Sequence, residues 1–386
     1  MPSSPDDLAL WQRLAEPGQA ALIAAARDIE PGDVRGVERL RRAHAPELVP
    51  LALDLAAATR KARVKLPTLA ERLIADVAGV EMASSENAAG WKARRFTRVR
   101  LFDLCCGIGG DAFEAVRGGA DVVAVDIDPV RAWMAGRNAG CEAKVSDVTG
   151  IDTTGATVHI DPARREAAGS GRRRIRLEEM RPPIDVVNGL IARADGAAVK
   201  LAPGVNPDQL PTGELEYISE HGRMTQAVLW TGGLRELDGV RATMLPEGET
   251  FVGGAESAGV VDQIVDGVIG TVDPAIERAG LIGHLAAMLG GSVLGDPGSG
   301  LVTGCAPARW VRRYGVLARM PWRERRVKPE LESHGAGLVR VKTRGNAVDP
   351  DVVQKRLRGS GDRELAVFIQ RIGGGVEAVI AEPLGV

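Results

Sequence analysis

The sequence predicts an α/β protein: a parallel sheet wound between helices, with a helical region before it and a small α/β unit after it. Three patterns carry this expectation. Between Arg98 and Leu201 short apolar runs alternate with helical stretches. The first 95 residues are Ala-rich with helical spacing. The last fifty residues read as strand, helix, strand, strand. The 386 residues exceed one ordinary core, and 45% hydrophobic with 26% charged residues mark a globular chain.

In the N-terminal region Leu8, Leu10 and Leu14, then Ala21, Leu22 and Ile23, recur at helical spacing. Pro-Gly pairs at 17–18 and 31–32 break the helices, and 50–66 and 69–80 supply two more. Basic residues at 61–65 and 92–95 are expected at solvated helix ends. From Arg98 onward, 99–104, 122–125, 157–160 and 197–201 read as strands buried on both faces, and 226–230 as a further strand. The helices between them are expected over 111–117, 129–138 and 180–193. Asp273-Pro274 reads as a cap and first turn opening a helix through Met288. Strands at 337–342, 365–370 and 376–380, with a helix at 349–358, close the chain.

Charge is unevenly distributed. The net charge is only −2, which excludes a polycation gripping nucleic acid along its whole length. Yet residues 205–277 hold 13 acidic and 3 basic side chains, and 301–346 hold 11 basic and 3 acidic. Aromatics at 3% leave few rings for stacking. No signal peptide or spanning segment is expected; the longest uncharged stretch, 279–295, reads as a surface-packed helix. Cys105, Cys106, Cys141 and Cys305 form no C-x-x-C pair, so neither structural zinc nor a disulfide framework is expected, and the compartment reads as a reducing cytoplasm.

The sharpest motif is Leu101-Phe-Asp-Leu-Cys-Cys-Gly-Ile-Gly-Gly-Asp111. A strand delivers Asp103, a turn containing Cys105, Gly107 and Gly109 follows, and a helix begins near Asp111. Glycines there let a ligand approach the backbone. Asp126 ends the next strand 19 residues after Gly107, the spacing at which a carboxylate reaches ribose hydroxyls in a Rossmann-like crevice. Asp128 reads as the cap of the following helix. Asp147, after the strand ending at Val145, sits where an acid accepts from an adenine amino group or simply meets solvent. Gly107-x-Gly109-x-x-Ala112 also satisfies a nicotinamide-dinucleotide fingerprint. Asp103 close before the turn would repel a pyrophosphate, whereas it suits S-adenosylmethionine, which carries an ammonium, a sulfonium and no phosphate.

Asp161-Pro162 falls at the carboxyl end of the fourth strand, the proline holding Asp161 extended. A carboxylate so placed can accept an N–H from a nucleophile and orient its lone pair for in-line transfer. No cysteine occupies this turn, so a covalent thiol route to a ring carbon is unsupported, and no aromatic follows Pro162. Arg164 and Arg165 open a basic loop over 163–181, with Arg172, Arg173, Arg174, Arg176 and Arg181; it reads as a solvated loop or as one that orders over substrate phosphate. Lys200, ending the fifth strand, points toward the same crevice or lies at the sheet edge.

Together, Asp-Leu-Cys-Cys-Gly-Ile-Gly-Gly-Asp (103–111), Val-Asp-Ile-Asp-Pro (125–129), Ile-Asp-Pro-Ala-Arg-Arg (160–165) and Val-Lys-Leu-Ala-Pro-Gly (199–204) resemble the bacterial class I S-adenosylmethionine-dependent methyltransferases with a THUMP-like C-terminal domain. The resemblance covers about 96–240, and Val341-Lys-Thr-Arg-Gly345 resembles the THUMP-like part. It implies a Rossmann-like sheet and three regions: helical 1–95, methyltransferase 96–300, and THUMP-like 301–386. It implies methyl-donor binding by the Asp103, Cys105, Gly107, Gly109, Asp126 and Asp147 set and a reactive-edge role for Asp161 with Pro162. Arg164, Arg165 and Lys200 are the expected substrate contacts. It also implies RNA as partner, which the basic tail supports through Arg309, Arg312, Arg313, Arg323, Arg325, Arg326, Lys328, Arg340, Lys342 and Arg344. Trp310, Tyr314 and Trp322 are expected either to stack on bases or to lie in a core, with the arginines docked on the acidic 205–277 segment. The function expected is methylation of an RNA base nitrogen. The alternatives are an RNA-binding protein whose cofactor domain is inactive and an NAD-dependent oxidoreductase.

Overall fold

The structure is a computed structural model that describes residues 2–164, 180–295, 297–343, 348–372 and 374–385. The chain divides into two compact units: residues 1–215 with 226–239, and residues 216–225 with 240–386.

The first unit opens with helices α1 (Pro5–Leu14), α2 (Ala20–Arg27), α3 (Val34–Ala43), α4 (Val49–Lys65), α5 (Val77–Met82) and α6 (Glu86–Ala93). Caps explain several starts. Ser4 forms a reciprocal capping box with Asp7, and Asp33, Asp76 and Ser85 accept the first free N–H groups of α3, α5 and α6. The continuous helix expected over 69–80 is absent. A short 3-10 turn, Ala70–Arg72, leads to an extended stretch before α5, because Asp76 captures the Gly79 N–H at 2.7 Å and starts a new helix.

The α/β layer follows: β1 (Arg100–Leu104), α7 (Gly110–Arg117), β2 (Asp121–Asp126), α8 (Pro129–Ala139), β3 (Glu142–Val145) and β4 (Thr157–Ile160). A two-residue hairpin, β5 (Ala163–Arg164) with β6 (Met180–Arg181), precedes α9 (Ile184–Arg193) and β7 (Gly196–Leu201). The helix expected from 180 therefore starts later, after Pro182 and Pro183. The chain leaves the unit within β8 (Glu214–Glu220) and re-enters it within β9 (Arg223–Gly232). The sheet runs β3-β2-β1-β4-β7-β9, parallel except for β9. Strand order reverses between β1 and β4, and ligands of such sheets bind beside the carboxyl ends at that switch. Among the described residues no helix is long and apolar enough to cross a membrane.

The second unit contains β10 (Gly239–Leu245) paired antiparallel with β11 (Glu249–Val252). Its main sheet is built from β12 (Val260–Val261), β13 (Val268–Val272), β14 (Ser292–Leu294), β15 (Leu301–Thr303), β16 (Val311–Pro321), β17 (Ala336–Thr343), β18 (Arg363–Ile372) and β19 (Gly375–Pro383), in the order β12-β14-β15-β13-β16-β19-β18-β17. Asp273 caps as expected, but two helices follow rather than one: α10 (Pro274–Arg278) and α11 (Ile282–Met288), separated at Gly280, whose φ of +70° no helix continues. Helices α12 (Glu324–Ser333) and α13 (Pro350–Leu357) bury Val327, Leu331, Val353 and Leu357 against Val339, Val341, Val367 and Ile380 of the sheet.

Candidate functional site

The site is assembled at the carboxyl ends of β1, β2, β3 and β4. The turn after β1 carries unusual backbone: Cys105 has φ +60°, Gly107 +56° and Gly109 +81°. A cysteine in the left-handed region stores strain, which folds retain at functional turns. Gly109 caps α7, and a β-carbon there would lie 2.6 Å from Ala135 Cα. A β-carbon on Gly107 would meet nothing within 4 Å, so open space faces the turn where a ligand would approach.

Carboxylates ring this turn. Asp126 accepts the Gly107 N–H at 3.0 Å and the Asp128 N–H at 3.0 Å, which ties the end of β2 to the glycine turn. Burial holds the Asp126 carboxyl above its usual range, against those two bonds. Asp128 caps α8, as the sequence suggested, accepting from Val130 and Arg131; its other oxygen accepts from the backbone and hydroxyl of Ser3 at 3.0 and 2.9 Å. Asp147 stands exposed at the end of β3 and accepts both the N–H and the hydroxyl of Thr149 at 2.8 Å. Those bonds hold its carboxyl low.

Asp161 and Lys200 come together: Lys200 Nζ lies 2.6 Å from Asp161 Oδ2 and 3.5 Å from the Met82 carbonyl. The Asp161 backbone is pinned by its N–H to the Leu104 carbonyl at 3.1 Å, and Pro162 is buried. Cys105 sits among these acids. Burial first, then Asp126, Asp161, Asp103 and Asp147, push its thiol far above the usual range. It is therefore no thiolate nucleophile.

Asp103 occupies a different place from the rim that its motif position suggests. It is 1% exposed, and Oδ1 lies 2.7 Å from His159 Nδ1. Oδ2 is buried with no hydrogen-bond partner among the described residues. Burial pushes the carboxyl up and His159 opposes it. His159 was not singled out from the sequence. The available signal was a histidine and an aspartate inside otherwise apolar strands, and the two prove to be register partners of β4 and β1.

Lys92 and Arg95 overturn an expectation. Neither is a solvated helix end. Lys92 is 0% exposed and its Nζ lies 2.6 Å from Asp111 Oδ1. Arg95 binds both oxygens of buried Glu214, at 2.8 and 2.9 Å, donates to the Leu234 carbonyl at 2.9 Å and stacks 4.2 Å from the Trp230 ring. Lys92 meets His159 of β4 and Arg95 meets Trp230 of β9, so both cations are held against the sheet.

Of the expected substrate contacts, Arg164 lies in the β5–β6 hairpin. Arg165, Arg172, Arg173, Arg174, Arg176 and Arg344 lie outside the described residues. In the second unit Tyr314 and Trp310 are buried, so neither is free to stack on a base; Trp322 packs against the α12–α13 core. Arg309 pairs with Glu249 at 3.0 Å, an instance of the expected docking on the acidic segment. Arg323, Arg325, Arg326 and Lys328 on or beside α12, and Lys355, Arg356 and Arg358 on or beside α13, are exposed.

The cleft suits a cationic ligand. Its glycine turn has room, Asp126, Asp147 and Asp161 lie around it, and the unpartnered oxygen of a fourth carboxylate, Asp103, is buried nearby. A diphosphate would meet repulsion from the same groups. Comparisons with known proteins agree. The chain is 34% identical over 321 residues to an uncharacterized S-adenosylmethionine-dependent methyltransferase of Mycobacterium tuberculosis H37Rv, covering 79% of this chain and 87% of that one. The corresponding protein of strain CDC 1551 / Oshkosh matches equally. Residues 311–383 match the THUMP domain-like family model. The fold is that of a crystal structure described as a methyltransferase from Porphyromonas gingivalis W83, with TM-score 0.72, 16% identity and 100% of both chains covered.

Proposed function

Because this chain belongs to the S-adenosylmethionine-dependent methyltransferases and ends in a THUMP-like domain, we propose that it methylates a base nitrogen in RNA. S-adenosylmethionine is its cofactor. Two features support RNA as substrate. The THUMP-like match spans 311–383, and the helices lying in it carry exposed arginines and lysines suited to a phosphate backbone. The observation that carries the nitrogen reading is the Asp161–Lys200 pair beside a cysteine held as a thiol.

When bound, S-adenosylmethionine supplies an electrophilic methyl group. Asp103, Gly107, Gly109 and Asp126 are read as its binding set, with Cys105 and Asp147 along the same edge. Lys200 engages Asp161 Oδ2 and so leaves Oδ1 to accept the N–H of the target nitrogen. That bond aims the nitrogen lone pair, and the released proton has an acceptor at hand. Pro162 keeps the carboxylate from swinging away. Arg164, with Arg165, is read as a contact to substrate phosphate. We read 1–95 as the helical support of this cleft, 96–300 as catalytic with its connecting segment, and 301–386 as the RNA-binding part, working in the cytoplasm.

Incubation with methyl-labelled cofactor and fractionated cellular RNA, followed by nucleoside analysis, tests this. Label in a nitrogen-methylated nucleoside is expected. Label only in protein or a small metabolite would overturn the RNA reading and leave the methyltransferase assignment standing.

A further inference from the structure

A buried polar chain lies behind the cleft and is not used by the mechanism above. Lys92 Nζ, from α6, lies 3.1 Å from His159 Nε2, 3.3 Å from Ser84 Oγ and 2.6 Å from Asp111 Oδ1. Ser84 donates in turn to Asp111 Oδ2 at 2.9 Å. Burial is the largest influence and raises the Asp111 carboxyl, but the nearby cations led by Lys92 and the Lys92 hydrogen bond together outweigh it and the net shift is downward, so the pair is ionic. An ammonium donates and never accepts. His159 Nε2 is therefore bare, and the ring proton resides on Nδ1, where it is donated to Asp103 Oδ1 at 2.7 Å. Asp103 is then an acceptor on Oδ1 and keeps Oδ2 unpartnered behind the glycine turn.

We propose that Lys92 is a positioning residue of the methyl-transfer site: by fixing the tautomer of His159 it keeps Asp103 an ionised acceptor for the cationic end of the cofactor. The inference rests on the reading that the Gly107 turn holds that cofactor. The geometry is specific to donors. A neutral residue at 92 would fill space but leave Nε2 free to carry the ring proton, and the bare Nδ1 would then face Asp103 Oδ1 acceptor to acceptor. The charged groups facing His159 are Asp103 from β1 and Lys92 from α6. Asp111 from α7 lies behind Lys92, with Lys200 from β7 acting on it. Ala198, its register partner on β7, and Phe96, with ring centroid 6.0 Å away, bring no charge.

Two measurements on the full chain test this. Nitrogen-15 NMR of the imidazole at pH 8 should show His159 protonated on Nδ1 and bare at Nε2; the opposite tautomer overturns the proposal without any variant. Calorimetric binding of S-adenosylhomocysteine should be level between pH 6 and 8.5 in the intact protein. In Lys92→Met the ring proton is no longer held on Nδ1, Asp103 loses its fixed donor, and affinity should fall about tenfold. Since Lys92→Met strands Asp111, Lys92→Met/Asp111→Asn is measured beside it, which removes the stranded charge and not the loss of the tautomer lock. Unchanged affinity in a folded variant would overturn the proposal. If the intact protein fails to bind S-adenosylhomocysteine at all, the placement of the cofactor at the Gly107 turn falls instead, and the NMR result still decides the tautomer.

Discussion

The two glycines of the turn should respond in opposite ways to one added methyl group. Gly107→Ala places alanine at φ +56°, a left-handed conformation costing about 1–2 kcal/mol, with no atom within 4 Å to clash. For a unit of this size that corresponds to a fall in Tm of about 2–8 °C. Gly109→Ala carries the same left-handed cost at φ +81° and drives its β-carbon to 2.6 Å from Ala135 Cα and 3.1 Å from its carbonyl oxygen. Backbone cannot swing aside as a side-chain tip does, so overpacking adds about 1–3 kcal/mol or more, and Tm should drop by about 10 °C or beyond. Binding should order the other way. The methyl at 107 projects into the space a ligand needs, so S-adenosylhomocysteine affinity should fall at least about tenfold although the protein stays folded. Thermal melts with and without S-adenosylhomocysteine, followed by calorimetry on the folded variant, read both quantities. Full affinity in Gly107→Ala would refute the placement of the cofactor, and equal melting losses for both variants would refute the α7–α8 packing.

Further outcomes follow from the same geometry. Asp161→Ala should lower turnover by about a hundredfold or more while S-adenosylhomocysteine affinity stays within about twofold, measured by methyl-transfer assay and calorimetry. Arg95→Met should cost about 3–5 kcal/mol in urea unfolding, because Glu214 is left charged and buried. Asp111, whose carboxyl lies below its unfolded value, adds stability above the ordinary carboxylate range that is lost as pH falls through the folded value. Asp111→Asn should therefore remove about 2 kcal/mol of the difference in unfolding free energy between neutral and strongly acidic solution. Cys141, pushed up to about 11 chiefly by burial, should alkylate at pH 8 about a hundredfold more slowly than a free thiol, as followed by mass spectrometry.

Much of the α/β layer was readable because its strands are apolar runs with punctuated ends. Residues 157–160 form a strand with the expected bounds, and 122–125 and 197–201 fall inside the observed ones. The capping aspartates 128 and 273 were equally plain, since each precedes a proline that can only begin a helix. What was not readable depends on tertiary placement. Lys92 and Arg95 have the local look of surface cations, and packing against His159 of β4 and Trp230 of β9 buries them. β16 and α12 escaped notice because Arg312, Arg313, Arg325 and Arg326 hide the apolar alternation of a strand and the Val327–Leu331 stripe of a helix. The Asp161–Lys200 pair required knowing that β4 and β7 are neighbours in register.

The burial of Lys92 also bears on how the chain matures on the ribosome. Its ammonium emerges before every partner except Ser84; Asp111 comes 19 residues later and His159 comes 67 residues later. Until then the lysine stays hydrated, and α6 cannot seat. The leading helices should therefore remain protease-sensitive on nascent chains that stop before β4 and become resistant together once that strand is made. A chain trimmed to start at Arg98 would leave Asp111 and Glu214 without their counter-ions, so the helical region matures with the sheet it supports and does not come away as a detachable module.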